Sequence, residues 1–324
     1  MFGYAVLVCA AAVLFWLDPL LRVLAPSLVP DAPVLPRTPR PRLNEALLAL
    51  EDVSAENEGG TRCPPDAYTV HIFNKAPLVL YVENFLSADE RQHLLDISAP
   101  IYEPSTVTHD GGSSVQRDVT VRDSAVAVVP RTPTVRCIEA RARALQGWRD
   151  ELWIERLRVQ RYVAPAGHYG FHYDWSRSGA ATGGWGRVAS LMVFVDDGSL
   201  EGGDGSRGGG DGHRHLPLQG GGTAFPRLPR RSNDARWCSF IACSNDSDGS
   251  PVHAADAEFG ADLDAASSNT TGVVFKPVVG NAVFWENFRP DGTGRAYEET
   301  WHAGLRVLQG VKVGLNIWSW GRVD

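Results

Sequence analysis

The sequence predicts an α+β domain that is mainly β, with two early helices beside a sheet barrel or sandwich. Helix signals are confined to the first half of the folded region, and short apolar or alternating runs follow. The chain contains 33 glycines, 21 prolines and 10 tryptophans, which favours turns and aromatic-rich strands over a helical bundle. With 324 residues, 44% of them hydrophobic, it is long enough to bury a full core.

The net charge argues against one class of partner. The formal charge is −7 at neutral pH and the isoelectric point is about 5.7. A broad surface for nucleic acid requires an excess of positive charge. We therefore expect no nucleic-acid partner.

The N-terminal segment predicts export or anchoring rather than part of a fold. Residues 2–17 are uncharged and apolar, but they are fewer than the roughly 20 residues of a spanning helix. A signal peptide and a signal anchor both remain open, although no basic residue precedes the run. Residues 25–42 are rich in proline and predict a semi-rigid stalk, which favours the anchor. The predicted boundaries are 1–24 for the signal segment, 25–67 for the stalk or linker, and 68–324 for the folded domain.

Cysteine usage fits an oxidising compartment. Four cysteines follow the apolar segment, and they are Cys63, Cys137, Cys238 and Cys243. An even number behind an export signal permits two disulfides with three connectivities. Cys238 and Cys243 are the nearest pair along the chain, and the alternative is that they are small buried side chains.

Two insertions are predicted within the folded domain. Residues 198–219 are rich in glycine, and residues 232–268 are polar and rich in aspartate and serine. The second region contains a glycosylation sequon at Asn245, and another sequon follows at Asn269. Together with an export signal, the sequons predict a glycoprotein.

The helices are predicted from their start signals. A short helix is expected at residues 44–54, before the folded domain begins near Tyr68. The capping box that opens at Ser87 predicts a helix to about residue 97. Thr132 and the following proline start a second helix that runs to residue 146.

The strands are predicted from alternation and from continuous apolar runs. The predicted strands are 153–163, 188–195, 272–277, 281–286 and 312–320. A turn at residues 279 and 280 joins the third of these to the fourth.

The pattern His172-Tyr173-Asp174 is the first indication of chemistry. Alternate residues of a strand face the same side, so the imidazole and the carboxylate can point at one ion. These two ligand types suit Fe(II), and a third ligand would complete a facial triad with three open positions. Because the pattern is short, it needs further residues to support it.

His302 and Lys312 supply that support. His302 lies 128 residues after Asp174, and Lys312 follows ten residues later on the last apolar strand. A lysine on such a strand is costly to bury unless it is paired, and the strand carries no acidic residue. A ligand carboxylate is therefore its natural partner.

This set resembles the prolyl 4-hydroxylase family of Fe(II)/2-oxoglutarate-dependent dioxygenases. The matching positions are Tyr162, Tyr169, His172, Asp174, the stretch GGGTAFP at 220–226, His302 and Lys312. The resemblance extends over residues 85–320. The sequence segments at 280–287 and 301–304 are similar to those of fungal members of the family. It implies a double-stranded β-helix (jelly-roll) core with N-terminal flanking helices.

The resemblance also implies roles for individual residues. His172, Asp174 and His302 would hold the iron and form the catalytic centre. Lys312 would pair with the distal carboxylate of 2-oxoglutarate, with further contacts from Thr223 and Tyr162. Trp318 matches a position near the substrate. One extra residue separates Tyr162 from His172 relative to the family pattern.

By this resemblance, the chain hydroxylates proline residues, at C4, in peptide or protein substrates. It would use O2 and convert 2-oxoglutarate to succinate, and L-ascorbate would rescue oxidised iron. The expected location is the lumen of the endoplasmic reticulum, membrane-anchored through the N-terminal segment if that is uncleaved, or else secreted. Two alternatives remain: the same iron chemistry on another residue or a small molecule, and a catalytically silent jelly-roll binding module.

Overall fold

The computed structural model describes most of the expected folded domain. The described residues are 47–50, 63–109, 114–149, 151–175, 184–200, 216–230, 235–243 and 272–323. The predicted signal segment, most of the stalk, both sequons and much of the two insertions lie outside these ranges. Among the described residues, no helix combines the length and apolar composition that crossing a membrane requires.

Two α-helices form where their start signals predict them. Helix α1 spans Ala88–Ser98, and Ser87 and Glu90 complete the capping box. Helix α2 spans Pro133–Ala144, and the Thr132 side chain accepts a hydrogen bond from the Val135 amide. These caps satisfy amide donors that the first helical turn leaves without partners.

Eighteen strands make up the rest of the regular structure of the described residues. They are β1 (Thr69–Lys75), β2 (Leu78–Glu83), β3 (Glu103–Pro104), β4 (Val107–His109), β5 (Ser114–Gln116), β6 (Arg122–Asp123), β7 (Ala125–Val128), β8 (Trp153–Ile154), β9 (Arg158–Val163), β10 (His168–His172), β11 (Trp185–Asp196), β12 (Gln219–Gly220), β13 (Thr223–Phe225), β14 (Val273–Phe275), β15 (Ala282–Glu286), β16 (His302–Gly304), β17 (Val307–Gln309) and β18 (Val311–Arg322).

The strand order is that of a jelly roll. A major sheet of nine strands runs β1-β2-β15-β11-β18-β9-β7-β3, with β8 also paired to β18, and a minor sheet of five runs β14-β13-β16-β10-β6. All the pairings in both sheets are antiparallel. The chain crosses between the sheets from β9 to β10 to β11 to β13, and again from β14 to β15 to β16 to β18. The predicted mainly β α+β class and jelly-roll core are confirmed.

Two apolar layers hold this arrangement together. The helices cover the outer face of the major sheet, where Leu94 and Ile138 pack in one cluster with strand residues such as Val159. A second cluster lies between the two sheets and includes Phe225 of β13 and Phe194 of β11. Burial of these side chains is the main favourable term in folding, and it fixes the distance between the sheets.

A buried arginine and a disulfide join the helical layer to the N-terminal part of the domain. Arg141 of α2 donates to both carboxylate oxygens of Glu90 at 2.8 and 2.9 Å, to Asp66 at 2.6 Å and to the Phe85 carbonyl. Cys63 is bonded to Cys137 of α2. Cys238 is bonded to Cys243, the pair that their spacing favoured.

Two expectations about local structure need correction. Leu48 forms a β-bridge with Glu155, so the described residues 47–50 are not the α-helix expected there. The strand expected at 153–163 is divided into β8 and β9, and between them the backbone of Glu155 and Arg156 pairs with residues 47 and 48. The strands expected at 272–277 and 281–286 form as β14 and β15 with the expected turn at residues 279 and 280 between them, and the two strands belong to different sheets.

Candidate active site

The structure brings His172, Asp174 and His302 together between the two sheets. Nε2 of His172 lies 3.6 Å from Oδ1 of Asp174, and Nε2 of His302 lies 3.8 Å from Oδ2 of the same carboxylate. The potential ligand atoms of all three residues lie within 4.8 Å of one another. His172 is the last residue of β10, but Asp174 follows the strand and reaches the site from a bend rather than by strand alternation.

Both imidazoles are oriented by the backbone two residues before them. Nδ1 of His172 lies 2.8 Å from the Gly170 carbonyl, and Nδ1 of His302 lies 2.9 Å from the Thr300 carbonyl. A carbonyl only accepts, so each Nδ1 carries the hydrogen and each Nε2 keeps its lone pair. That lone pair is directed toward the Asp174 carboxylate, as metal coordination requires.

Local electrostatics favour the ligand forms of these groups. Burial and the neighbouring His172 lower the pKa of His302 to about 4. Burial alone would raise the pKa of Asp174, but His302, His172 and Arg187 hold it well below its usual range. Metal ligands must be deprotonated, so the lowered pKa values of His302 and Asp174 favour binding of a divalent ion. Two imidazoles and one carboxylate, with room beside them, match the facial donor set of non-haem Fe(II).

The ligands border a cavity that both sheets line. Lys312 of β18 lies at this cavity and is 2% exposed. Its Nζ lies 5.4 Å from the ring centres of Tyr162 and Phe194, and no described carboxylate pairs with it. Burial lowers the pKa of Lys312 to about 7. An anion bound in the cavity would restore the charged form.

Thr223 faces the same cavity from β13 and is 3% exposed. Its hydroxyl has no hydrogen-bond partner in the described part of the chain. The glycines before it allow this close approach. Gly221 has a φ of +71°, and a Cβ there would lie 3.1 Å from Cδ of Lys312, so a side chain would displace the lysine.

Two tyrosines line the cavity between Lys312 and the ligands. Tyr162 of β9 is directly opposite Lys312 in the strand register. The Tyr169 ring stacks on the His172 ring with centres 3.7 Å apart. The extra residue before His172 therefore does not remove Tyr162 from the cavity.

Trp318 lies near the ligands but does not belong to the described wall of the cavity. It is buried beneath the guanidinium of Arg187, whose Cζ is 4.1 Å from the indole centre. Arg187 donates to the Asp174 carbonyl at 3.3 Å and forms an ion pair with Glu155 at 2.5 Å. Trp318 thus supports the residue that holds the backbone of a ligand.

Three loops meet at the rim of the site. Arg227 donates to the Tyr173 hydroxyl at 2.6 Å and lies 3.3 Å from a Glu298 carboxylate oxygen. The Tyr173 hydroxyl also donates to Glu298 at 2.5 Å. Tyr173 lies between two ligands in sequence, and Glu298 begins the short 3-10 helix Glu298–Thr300 that ends just before His302. Sequence reasoning missed this cluster, because its members are polar residues of three separate loops.

Sequence reasoning also missed Gln160 and Trp285, which line the same cavity. Gln160 lies on the inward face of β9, two residues before Tyr162. The Trp285 ring packs edge-on against the His302 ring at 4.8 Å. The alternation of β9 places Gln160 on the same face as Tyr162, and this was the one signal that could have identified it.

Comparisons with known proteins give results for solved structures only. No family model matches the chain, and no curated protein matches it. A complex of a viral collagen prolyl hydroxylase from Paramecium bursaria Chlorella virus-1 is 20% identical, with a TM-score of 0.44 over 75% of this chain and 96% of that one. A prolyl hydroxylase from Trichoplax adhaerens, bound to a hypoxia inducible factor peptide, is 11% identical, with a TM-score of 0.42 over 74% and 82% of the two chains. An oxidoreductase of the 2OG-Fe(II) oxygenase family from Burkholderia pseudomallei is 11% identical, with a TM-score of 0.38 over 76% and 85%.

Proposed function

We propose that the chain is an Fe(II)- and 2-oxoglutarate-dependent oxygenase that hydroxylates proline residues, at C4, in a peptide or protein. One observation carries the oxygenase proposal. Two histidines, an ionised aspartate and a buried lysine that pairs with no described carboxylate converge on a single cavity. The first three residues suit Fe(II), and the lysine suits the far carboxylate of a diacid.

The roles of the residues follow from their positions. His172, Asp174 and His302 would hold Fe(II), which supplies oxygen activation coupled to decarboxylation of the 2-oxo acid. Lys312 and Thr223 would bind the distal carboxylate of 2-oxoglutarate and set its position in the cavity. Tyr162 stands beside Lys312 and fixes its direction through cation–π contact. The surrounding core excludes water, which strengthens each of these polar contacts.

The prolyl substrate and the use of ascorbate are proposed from the sequence resemblance. Trp318 and Arg187 lie on the Asp174 side of the ligands, away from Lys312. This is the side on which a substrate would approach the iron, so we propose that Trp318 shapes that approach. L-ascorbate would return oxidised iron to the ferrous state.

We propose that the enzyme works in the lumen of the endoplasmic reticulum, held by the N-terminal segment or secreted. The two disulfides support an oxidising compartment. The apolar segment and the proline-rich stalk support the anchor. A fractionation experiment with the full chain, with glycosidase treatment and carbonate extraction, distinguishes lumenal anchoring from secretion.

The catalytic proposal is tested with the purified full chain, Fe(II), ascorbate and 2-oxoglutarate. Succinate is measured with and without a proline-rich peptide, and the peptide mass is then determined. The matched control is the same peptide with alanine in place of proline. A His172→Ala variant reports background decarboxylation.

Peptide-dependent succinate with a gain of one oxygen on proline is the expected result. Fragmentation against hydroxyproline standards assigns the carbon. Succinate without any modification of the peptide would support the oxygenase activity but contradict the proposal that proline is the substrate. No succinate from folded protein that binds metal would contradict the oxygenase proposal and favour a silent binding module.

A further inference from the structure

Two buried hydrogen-bond donors in the cavity have no role in the proposal so far. The side-chain amide nitrogen of Gln160 and the indole nitrogen of Trp285 both lack a hydrogen-bond partner in the described part of the chain. The two residues are 1% and 2% exposed, and both line the cavity. A buried donor without an acceptor destabilises the folded chain, so such groups in a native site indicate a ligand that supplies acceptors.

The position of Gln160 places it between the lysine and the metal ligands. On β9 and β18, Tyr162 is opposite Lys312 and Gln160 is opposite Gly314. Gln160 is therefore one pleat, about 7 Å, along the sheet from the lysine. Continuing along β18 in the same direction leads to Trp318, which contacts Arg187 and through it Asp174.

Trp285 lines the same cavity from β15, which β11 separates from β18 in the major sheet. Its ring lies 4.8 Å from the His302 ring, and it also packs against Phe225 at 5.2 Å. Its indole nitrogen can only donate. Besides Lys312 and Thr223, the cavity therefore has two further donors, Gln160 and Trp285.

We propose that Gln160 and Trp285 donate hydrogen bonds to the 2-oxo acid end of the cosubstrate, opposite its distal carboxylate. This inference rests on the proposed function and extends it. A 2-oxo diacid carries acceptor oxygens at both ends and no donors when ionised, which complements a cavity whose unpartnered groups are donors.

The test measures ligand affinity rather than turnover. The full chain is loaded with Mn(II), which occupies a site of this type without turnover, and 2-oxoglutarate is titrated by calorimetry. Gln160→Met removes the donor at nearly constant volume, and Trp285→Phe removes the indole donor. The matched control is Gln146→Met, because Gln146 is also buried but donates to Ala142 and Ser319, away from the cavity.

We expect Gln160→Met to bind 2-oxoglutarate about tenfold more weakly, as loss of a hydrogen bond to a charged acceptor requires. Trp285→Phe should show a smaller loss, and both variants should bind Mn(II) within twofold of wild type. Gln146→Met should retain wild-type affinity for both.

Two results would overturn the inference. Wild-type affinity for 2-oxoglutarate in a folded Gln160→Met variant would show that Gln160 does not donate a hydrogen bond to this ligand. A raised KM for peptide with unchanged 2-oxoglutarate affinity would assign Gln160 to the substrate instead. Failure of the proposed function is distinguishable, because the wild-type chain itself would then bind neither Mn(II) nor 2-oxoglutarate.

Discussion

Two buried cations of the described residues lie on opposite sides of the major sheet, and their surroundings differ. Arg141, on the helical side, is 6% exposed and is paired with Glu90 and Asp66. Lys312, on the inner side, is 2% exposed and has no described carboxylate beside it. Burial alone would lower the pKa of Arg141, but the hydrogen bonds that it donates to Glu90 and Asp66 raise it, whereas burial lowers the pKa of Lys312 to about 7.

This difference indicates that Arg141 stabilises the fold, whereas Lys312 binds a ligand. A buried cation with partners stabilises the fold only through those partners, and its removal leaves them unpaired. A buried cation without partners destabilises the fold until a ligand supplies the counter-charge. The cavity beside the inner face shows the same pattern at Thr223, Gln160 and Trp285, whose buried polar atoms have no hydrogen-bond partner among the described residues.

The largest effect is expected from loss of a metal ligand on the inner face. Replacement of His172 or His302 by alanine should reduce turnover to background and weaken Mn(II) binding by more than about 100-fold, because changes to outer partners alone cost about 10–100-fold. Metal titration by calorimetry measures this. His71→Ala is the control, since His71 pairs with Glu83 on β2. If either variant kept its affinity for Mn(II), the assignment of that histidine as a metal ligand would be wrong.

Arg141→Met tests the paired cation. It should lower the free energy of unfolding by about 3–5 kcal/mol, because Glu90 is left buried without its partner. Urea denaturation measures the change. Arg143→Met, exposed on the same helix, should remain within about 0.5 kcal/mol of wild type. If Arg141→Met were as stable as the control, the structural role of Arg141 would be contradicted.

Lys312→Met should have the opposite effect on stability. Without ligand, removal of the unpaired cation should raise the free energy of unfolding by on the order of 1–3 kcal/mol near neutral pH. The same change should weaken 2-oxoglutarate binding about 100-fold, since the distal carboxylate loses its counter-charge. Lys75→Met at the exposed end of β1 is the control. Unchanged affinity for 2-oxoglutarate would exclude the cosubstrate role of Lys312.

The pH dependence of 2-oxoglutarate binding tests whether Lys312 binds the cosubstrate in its charged form. The unfolded chain holds the Lys312 proton up to its ordinary pKa, whereas the folded chain releases it above pH about 7. The cost of this lysine to the stability of the ligand-free protein therefore diminishes as pH rises through that window. Binding of a dicarboxylate at pH 8 should take up close to one proton, measured by calorimetry in two buffers of different ionisation enthalpy. No proton uptake, or equal uptake in Lys312→Met, would contradict this.

The smallest effect is expected at the rim. Arg227→Gln breaks the contacts with Tyr173 and Glu298, but these side chains are about half exposed. Stability should change by less than about 1 kcal/mol, as for other exposed pairs. Mn(II) affinity should fall a few-fold, because the loops that carry the ligands lose a connection. Arg295→Gln, which breaks an exposed pair with Asp291, controls for loss of surface charge.

Local features of the fold were predictable because their causes are local. The capping box at Ser87 and the Thr132-Pro133 start each supply partners to their own helix, so both helices formed where expected. The division of the strand at Glu155 was not predictable. There the backbone pairs with Leu47 and Leu48, far earlier in the chain, and no pattern within the strand records those partners.

The same distinction applies to the site. The motif order identified the three ligands, Lys312 and Thr223 as candidates, and the structure brings all five to one cavity. It did not identify Gln160, Trp285 or the rim residues, because a single polar residue on a strand has no pattern of its own. Their significance depends on whether a partner lies within hydrogen-bond distance, which only the packed structure decides.

The sequence by itself determined the identity of the donors, the strand periods and the helix caps, since these depend on residue type and on neighbours along the chain. The tertiary structure decided which donors share a cavity and which remain without partners. The physical reason is that burial and pairing are properties of space: β9, β13, β16 and β18 meet only after the two sheets close over a common core.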